Sequence, residues 1–280
     1  MKIHIFNPEN DMALANGTPG YTPPANIRAY RQANWRLPEK WALPEDIVWD
    51  GETMFDNLGI PSDKDFEIVP WGWSPAIVHQ LQLAGFPADK MPSAQWIQKL
   101  RILSGRQTTV SIQRQLGIEA YVCHTIDEIT AIMQSHPERE YIMKSPWSSS
   151  GKGLMSPRNA NWRGWTHRIL RQQGDVILER KLDRAQDFAM EFFIDRKHNI
   201  QYIGLSLFAT DEYGHYLRNI TGNVTHALDS VLEWYLTNLP RIAPWYHGPV
   251  GVDMLITTSG EICPCIEINW RMTMGMVSLL

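Results

Sequence analysis

Acidic and amide side chains stand inside apolar runs near the end of the chain. Asp253 lies in GPVGVDMLIT, and CIEIN places Glu267 and Asn269 two residues apart. Because successive side chains of a strand point to opposite faces, Glu267 and Asn269 share a face. The intervening TTSGE is typical of a hairpin turn and puts Asp253 on the neighbouring strand. Two carboxylates and an amide oxygen suit Mg²⁺, or Mn²⁺, and burying both acids without a cation would be costly.

A second candidate is YIMKSPWSSSGKGLMS, which contains a Gly-Lys pair. A P-loop requires Gly five residues before Gly151 and Ser or Thr after Lys152. Pro146 and Gly153 hold those positions, so the segment is not a P-loop. Lys144 at a strand end, followed by small residues, still suits phosphate, because backbone N–H groups converge on phosphate oxygens and lysine neutralises their charge. A structural Ser/Gly turn is the alternative.

A third candidate is the acidic pair around VILERKL. Glu179 ends this apolar strand, and Asp187 follows after a short linker. A carboxylate at each end of such a linker can hold the adenine and ribose of a nucleotide. Two solvated acids are the alternative, since Asp and Glu are mostly exposed.

The bulk composition excludes several classes of partner. Lys plus Arg is 26 and Asp plus Glu is 30 in 280 residues, a formal net charge of −4. This balance gives no general attraction to nucleic acid or anionic membranes. No apolar run reaches the roughly 20 residues of a membrane span, and MKIHIFNPEN lacks a signal-peptide pattern. With cysteines only at Cys123, Cys263 and Cys265, and no disulfide or zinc framework, we expect a cytoplasmic protein.

The elements that must position these residues follow from periodicity and turn signals. KIHIF, DIVWDG and FEIVPWG read as strands, and SPAIVHQLQLAG reads as a helix capped by Ser74. Strands alternating with helices predict an N-terminal α/β domain. Beyond it, SAQWIQKLRILSGRQTTVSIQRQLG predicts helix with a break near Ser104. Helices and strands then alternate up to VILERKL, and a strand-rich part follows, interrupted by the helix ALDSVLEWYLTNL.

The segments MKSPWSSSGKGL, VILERKLDRAQDF, GPVGVDMLI and CIEINWRMTMG occur in the order and spacing of the ATP-grasp superfamily. From about residue 93 to residue 275 the chain resembles the carboxylate–amine and carboxylate–thiol ligases of that fold. The resemblance implies a fold of class α/β plus α+β. It implies an N-terminal α/β domain at 1–95, a small lobe with a glycine-rich lid at 96–180, and a C-terminal lobe with the metal site at 181–280. Trp270 departs from the pattern, because the family usually has proline there.

The resemblance also implies roles for single residues. Lys144 would contact the α- and β-phosphates of ATP, and Asp187 would take the ribose. Arg106 in SGRQTT stands where the family often has a further phosphate-binding lysine, with a surface arginine as the alternative. Arg271 would be catalytic, steadying the transferring phosphoryl group or the tetrahedral intermediate. The lid would consist of Ser148, Ser149, Ser150, Gly151, Lys152 and Gly153. The hinge that binds adenine would consist of Glu179, Arg180, Lys181 and Leu182. The Mg²⁺ site would consist of Asp253, Glu267 and Asn269.

The expected function is an ATP- and Mg²⁺-dependent ligase that joins a carboxylate to an amine through an acyl phosphate. Its partners would be ATP and small-molecule or peptide carboxylates and amines, with no nucleic acid or membrane. A small-molecule kinase on the same scaffold is one alternative. A nucleotide-binding module without turnover is another; Trp270 motivates it, and the intact acidic and amide positions argue against it.

Overall fold

The computed structural model describes residues 1–61, 63–148, 153–211 and 216–280. Contacts divide the chain into two compact units, Met1–Ile102 with Leu280, and Leu103–Leu279. The three-part division at residues 95 and 180 stays a prediction. Within the described ranges, no helix combines the length and the apolar character that crossing a membrane requires.

The first unit is built on a three-stranded parallel sheet with the order β2-β1-β3. The helix capped by Ser74 begins as predicted, because its hydroxyl accepts the N–H of Ile77 at 3.4 Å. In chain order the elements are β1 (Lys2–Ile5), α1 (Asn10–Asn16), α2 (Ala25–Asn34), β2 (Ile47–Trp49), β3 (Glu67–Pro70), α3 (Pro75–Leu83) and α4 (Ala94–Leu103), with short 3₁₀ turns at Leu37–Lys40, Phe55–Leu58 and Ala88–Lys90.

Polar residues after β1 are buried at the carboxyl end of this sheet. Asn7 donates to the carbonyl of Gly72, which follows β3, at 2.8 Å. Glu9 is buried against Arg31, with 2.6 Å between carboxylate and guanidinium. Asn10 is also buried and packs on Gly72. This loop therefore ties two strand ends together.

The second unit begins with helices around a four-stranded antiparallel sheet of order β4-β7-β5-β6. The predicted helix break near Ser104 is present, because α4 ends at Leu103 and the next helix starts at Arg106. The elements are α5 (Arg106–Gln115), β4 (Ala120–Cys123), α6 (Ile126–Ser135), β5 (Tyr141–Lys144), β6 (Leu154–Met155), α7 (Trp162–Gln173) and β7 (Val176–Arg180).

A five-stranded antiparallel sheet of order β10-β9-β8-β11-β12 completes the second unit. The sequence patterns did not predict β6, β10 or α9, which are five residues or shorter. The elements are β8 (Arg184–Ile194), β9 (Ile200–Thr210), β10 (Tyr216–Ile220), α8 (Asp229–Ile242), β11 (Gly248–Thr257), β12 (Ile262–Asn269) and α9 (Met274–Val277).

The two faces of this larger sheet differ in chemistry. One face is core: Phe188, Phe192 and Val252 are fully buried, and Tyr235 of α8 packs on Phe192 with ring centroids 6.0 Å apart. Because strand side chains alternate, the odd-numbered positions of β8 and β11 point to the other face. Asp187, which starts the acidic side of β8, stands on that second face. The acidic side chains of these two strands therefore lie on the face opposite the hydrophobic core.

We expect Gly72→Ala to destabilise the first unit. A Cβ at Gly72 would lie 2.4 Å from the side-chain amide of Asn10, which is buried. Overpacking of this kind costs about 1–3 kcal/mol of unfolding free energy. Gly20→Ala is the matched control, because nothing lies within 4 Å of its Cβ position. Urea unfolding of both variants checks this, and equal stability of the two would contradict the packing role of Asn10.

Candidate active site

The acidic and amide residues meet on adjacent strands, as the hairpin pattern predicts. Asp253 of β11 stands directly opposite Glu267 of β12, and Gly251 stands opposite Asn269. The amide of Asn269 donates to Asp253 at 3.2 Å between Nδ2 and Oδ2. Arg271 donates in turn to the amide oxygen of Asn269 at 2.9 Å. Hydrogen bonds thus join Asp253, Asn269 and Arg271, and we call these three side chains together with Glu267 on the facing strand the carboxylate cluster.

The carboxylate cluster carries unfavourable negative charge. Burial and the neighbouring carboxylates of Glu267 and Glu191 raise the pKa of Asp253 to about 8. Arg271 acts in the opposite direction and lowers that pKa. A cation near Asp253 would relieve both causes of the shift, since it favours the ionised form.

Arg106 links the smaller sheet to the carboxylate cluster. It is buried at the first position of α5, and its Nη2 lies 2.7 Å from Oε1 of Glu267. Its Nη1 donates to the carbonyl of Ser145 and to the hydroxyl of Ser148, each at 2.7 Å. The described start of the serine-rich loop and the β12 carboxylate therefore share one guanidinium. The surface position considered for Arg106 is wrong.

Lys144 and Glu179 form a second buried ion pair. Their Nζ and Oε2 atoms lie 2.6 Å apart, and the two side chains are 7% and 9% exposed. Lys144 ends β5, and Glu179 is the fourth residue of the neighbouring strand β7. The solvated position considered for Glu179 is wrong. Both groups also act electrostatically on Cys263 of β12, which places them near the strand that carries Glu267.

Asp187 is buried and doubly engaged. Its Oδ1 accepts from Arg184 at 2.7 Å and its Oδ2 accepts from Thr210 at 2.6 Å. The solvated position considered for Asp187 is therefore also wrong. Arg180 and Lys181 point their side chains to solvent, and Leu182 is half-buried.

Part of the predicted lid lies outside the described residues: Ser149, Ser150, Gly151 and Lys152. Its ends are described and close together. The N–H of Ser145 donates to the carbonyl of Gly153 at 2.8 Å. A Cβ at Gly153 would lie 2.0 Å from the Ser145 hydroxyl, so only glycine fits there.

The donor set narrows the kind of metal. Among the described residues, no group of three or more His, Cys, Asp or Glu side chains is placed to hold an ion. Burial raises the pKa of Cys263 to about 11, and both Cys263 and Cys265 are buried, so they remain protonated thiols. The carboxylate cluster instead combines two carboxylates with an amide oxygen. Mg²⁺ suits such a set, because it takes one or two carboxylates and completes its shell with water and substrate phosphates.

Two contributors were not predicted from the sequence. Glu191 is fully buried on the polar face of β8, opposite Gly251. It lies four residues after Asp187, and this spacing within a strand gives the two residues the same face, so the signal was present. Gln113 of α5 donates to the carbonyl of Cys265 at 3.0 Å and holds β12 against the helix. No local pattern marks that contact.

Comparison with solved structures identifies the architecture. N5-carboxyaminoimidazole synthetase from Staphylococcus aureus, complexed with ADP, is 14% identical over 98% of this chain and 71% of that chain, with a TM-score of 0.56. D-alanyl-alanine synthetase A from Vibrio cholerae is 13% identical over 99% and 91%, with a TM-score of 0.57. Biotin carboxylase from Campylobacter jejuni, in a β,γ-ATP complex, is 12% identical over 99% and 69%, with a TM-score of 0.59. The chain has the ATP-grasp fold.

The ATP-grasp fold confirms the predicted class of α/β plus α+β. No family model matches the sequence. One curated relative, the [butirosin acyl-carrier protein]–L-glutamate ligase of Niallia circulans, is 30% identical over 141 residues. The match covers 47% of this chain, and the chain spans about a third of the relative's length, 33%.

We expect Glu179→Gln to destabilise the second unit strongly. The substitution leaves the Lys144 ammonium buried without its counter-charge, which costs about 3–5 kcal/mol. Glu140→Gln is the control, because the Glu140 carboxylate pairs with Arg158 at exposures of 43% and 77%. Such an exposed pair contributes about 0–1 kcal/mol. Urea denaturation measures the unfolding free energy of both variants. Similar losses of unfolding free energy would show that the Lys144–Glu179 pair contributes no more to stability than an exposed pair.

Proposed function

We propose that this chain is an ATP- and Mg²⁺-dependent ligase that activates a carboxylate and joins it to an amine. The observation that carries the proposal is the pairing of Arg106 with Glu267. A buried guanidinium beside a serine-rich loop suits phosphate oxygens, and the carboxylate that it contacts belongs to a cluster that suits a divalent cation. Phosphate and cation sites at this separation are what a metal–nucleotide complex requires.

ATP would bind along the two ion pairs. Arg106 and Lys144 would contact its phosphates, under the lid of Ser148, Ser149, Ser150, Gly151, Lys152 and Gly153. Phosphate oxygens would then replace Glu179 as partners of the Lys144 ammonium. The Glu179 carboxylate would turn to the adenine, with Leu182 and the backbone of Arg180 and Lys181. Asp187 would accept hydrogen bonds from the ribose hydroxyls in place of those from Arg184 or Thr210.

Asp253, Glu267 and Asn269 would hold Mg²⁺, or Mn²⁺ in its place. The raised pKa of Asp253 supports this assignment, because a bound cation offsets the burial and repulsion that cause it. When bound, Mg²⁺ neutralises charge on the phosphates and lowers the barrier to their transfer.

The reaction would proceed in two balanced steps. A substrate carboxylate oxygen attacks the γ-phosphorus of ATP, the bond to the β-γ bridging oxygen breaks, and ADP leaves. The acceptor nitrogen then attacks the carbonyl carbon of the acyl phosphate, inorganic phosphate leaves, and the nitrogen loses a proton. Arg271 would stabilise the charge that develops in these steps, and the lid would exclude water from the acyl phosphate.

The relatives guide the choice of substrates. The similar structures include a D-alanyl-alanine synthetase and a biotin carboxylase, and the curated relative is an acyl-carrier protein–L-glutamate ligase. We therefore propose L-glutamate among the first acids, with amines and a carrier-protein thiol as acceptors. We retain 1–95, 96–180 and 181–280 as the proposed domains. A cytoplasmic location is supported by the three free, buried cysteines.

We expect a non-hydrolysable ATP analogue to bind in a Mg²⁺-dependent manner, measured by calorimetry. Glu267→Gln should weaken the Mg²⁺-dependent binding by at least about tenfold, because it removes one charged ligand. Glu261→Gln is the matched control, since this exposed residue lies in the turn of the same hairpin. An equal loss of affinity for the analogue in both variants would refute the metal assignment. Binding to the wild type with the same affinity in the presence and absence of Mg²⁺ would also refute it.

We expect ADP and free phosphate to form together, and only when an acid and an acceptor are both present. The physical reason is that the acyl phosphate releases its phosphate when the acceptor attacks. A coupled phosphate assay with product mass spectrometry measures this. ADP formation with a phosphorylated hydroxyl product and no free phosphate would instead establish a kinase.

A further inference from the structure

Glu191 is a buried carboxyl group to which the proposed reaction gives no role. Its side chain is fully buried, and burial raises its pKa to about 7. Its Oε1 accepts from the hydroxyls of Ser206 at 3.0 Å and Thr273 at 2.9 Å. Its Oε2 has no hydrogen-bond partner among the described residues. Burial of a carboxyl group with one oxygen left without a hydrogen bond is costly, so the contacts of Glu191 require an explanation.

The chain makes room for this carboxyl group with glycines. A Cβ at Gly251 would lie 2.7 Å from Oε2 of Glu191, and a Cβ at Gly275 would lie 2.2 Å from Oε1. Gly251 belongs to β11 and Gly275 to α9, so the carboxyl group lies between the sheet and the segment that follows β12. Larger residues at either position would displace it.

Thr273 connects Glu191 to the backbone of that segment. Its hydroxyl donates to Glu191 and accepts the N–H of Met276 at 2.9 Å, which caps α9. The hydroxyl of Thr273 therefore both donates one hydrogen bond and accepts another. Its position in space is fixed by Glu191 on one side and by α9 on the other.

Arg271 lies midway between two fixed points. Asn269, two residues before it, ends β12, and Thr273, two residues after it, is anchored on Glu191. The Arg271 guanidinium donates to Asn269 at 2.9 Å and to the carbonyl of Met272 at 2.9 Å. A shift of Thr273 would therefore move the backbone from which Arg271 reaches the carboxylate cluster.

We propose that Glu191 is a positioning residue, which holds Arg271 at the carboxylate cluster by anchoring Thr273. The proposal rests on the role given to Arg271 under the proposed function. Glu191 acts through Thr273 and touches neither ATP nor the reacting atoms. Its effect falls on the turnover step rather than on nucleotide binding.

The test uses substitutions in the full chain. Thr273→Val removes the hydroxyl and the anchor, whereas Thr273→Ser keeps both. We expect Thr273→Val to lower kcat on the order of 10- to 100-fold, because small misplacements of a charge-stabilising group have effects of that size. The KM for ATP should change by less than about threefold. Thr273→Ser should restore kcat to near the wild-type value.

Ser206→Ala is the matched control. It removes the other donor to the same Oε1 atom, but Ser206 lies on β9, which does not carry Arg271. We expect its kcat to stay near that of the wild type. In an Arg271→Ala background, Thr273→Val should cause little further loss of kcat. Equal losses with and without Arg271 would overturn the positioning role, as would a parallel change of kcat and KM.

Hydrogen exchange provides a readout that does not depend on activity. Glu191→Met removes the acceptor of the Thr273 hydroxyl but leaves the cap that this hydroxyl forms on α9. It should speed exchange of the amides of residues 270–277 by on the order of tenfold, and Ser206→Ala should not. Unchanged exchange in Glu191→Met would overturn the anchor even if the ligase assay succeeds. Faster exchange in a chain without ligase activity would support the anchor and reject the proposed function separately.

Discussion

The arrangement of the second unit depends on two carboxylates that face each other across adjacent strands. Burial and the neighbouring carboxylate of Glu267 disfavour the ionised form of Asp253, and positive charge nearby opposes this effect. The fold supplies this positive charge from Arg106 of α5, which is distant in sequence, and from Arg271, which directly follows β12. The sheet is kept intact behind them by an apolar face that packs on α8. The charged face thus depends on helices and loops from the rest of the unit.

Helix α5 contacts the strand that carries Glu267, and its sequence pattern does not predict this contact. Arg106 at its start contacts the Glu267 side chain, and Gln113, about two turns later, contacts the backbone of Cys265. Residues seven apart lie on one face of a helix, so one face of α5 contacts β12 through both residues. The same helix packs through Val110 on Ala120 and Ile177 of the smaller sheet. Helix α5 therefore connects both sheets, and it sets the position of Arg106 relative to the carboxylate of Glu267.

Local patterns predicted the strands and the shared face of Glu267 and Asn269, because alternation and turn chemistry act over a few residues. The hairpin placed Asp253 opposite Glu267 for the same reason. Ion-pair partners were beyond such reasoning: Arg106 and Glu267 are 161 positions apart. Glu191 was missed although its spacing from Asp187 marked it, since a single acid in an apolar strand does not reveal what it contacts. The short elements β6, β10 and α9 have too few residues for periodicity to appear.

The buried ion pairs also determine how strongly the charges of the site respond to salt in the solvent. Lys144 and Arg106 hold their charges against carboxylates of the same chain, at 2.6 and 2.7 Å. Each of these cations therefore already has a counter-charge within the chain. Salt screens exposed charges strongly and buried pairs weakly. Changes in salt concentration should therefore affect the Lys144–Glu179 and Arg106–Glu267 pairs less than an exposed pair such as Arg158–Glu140.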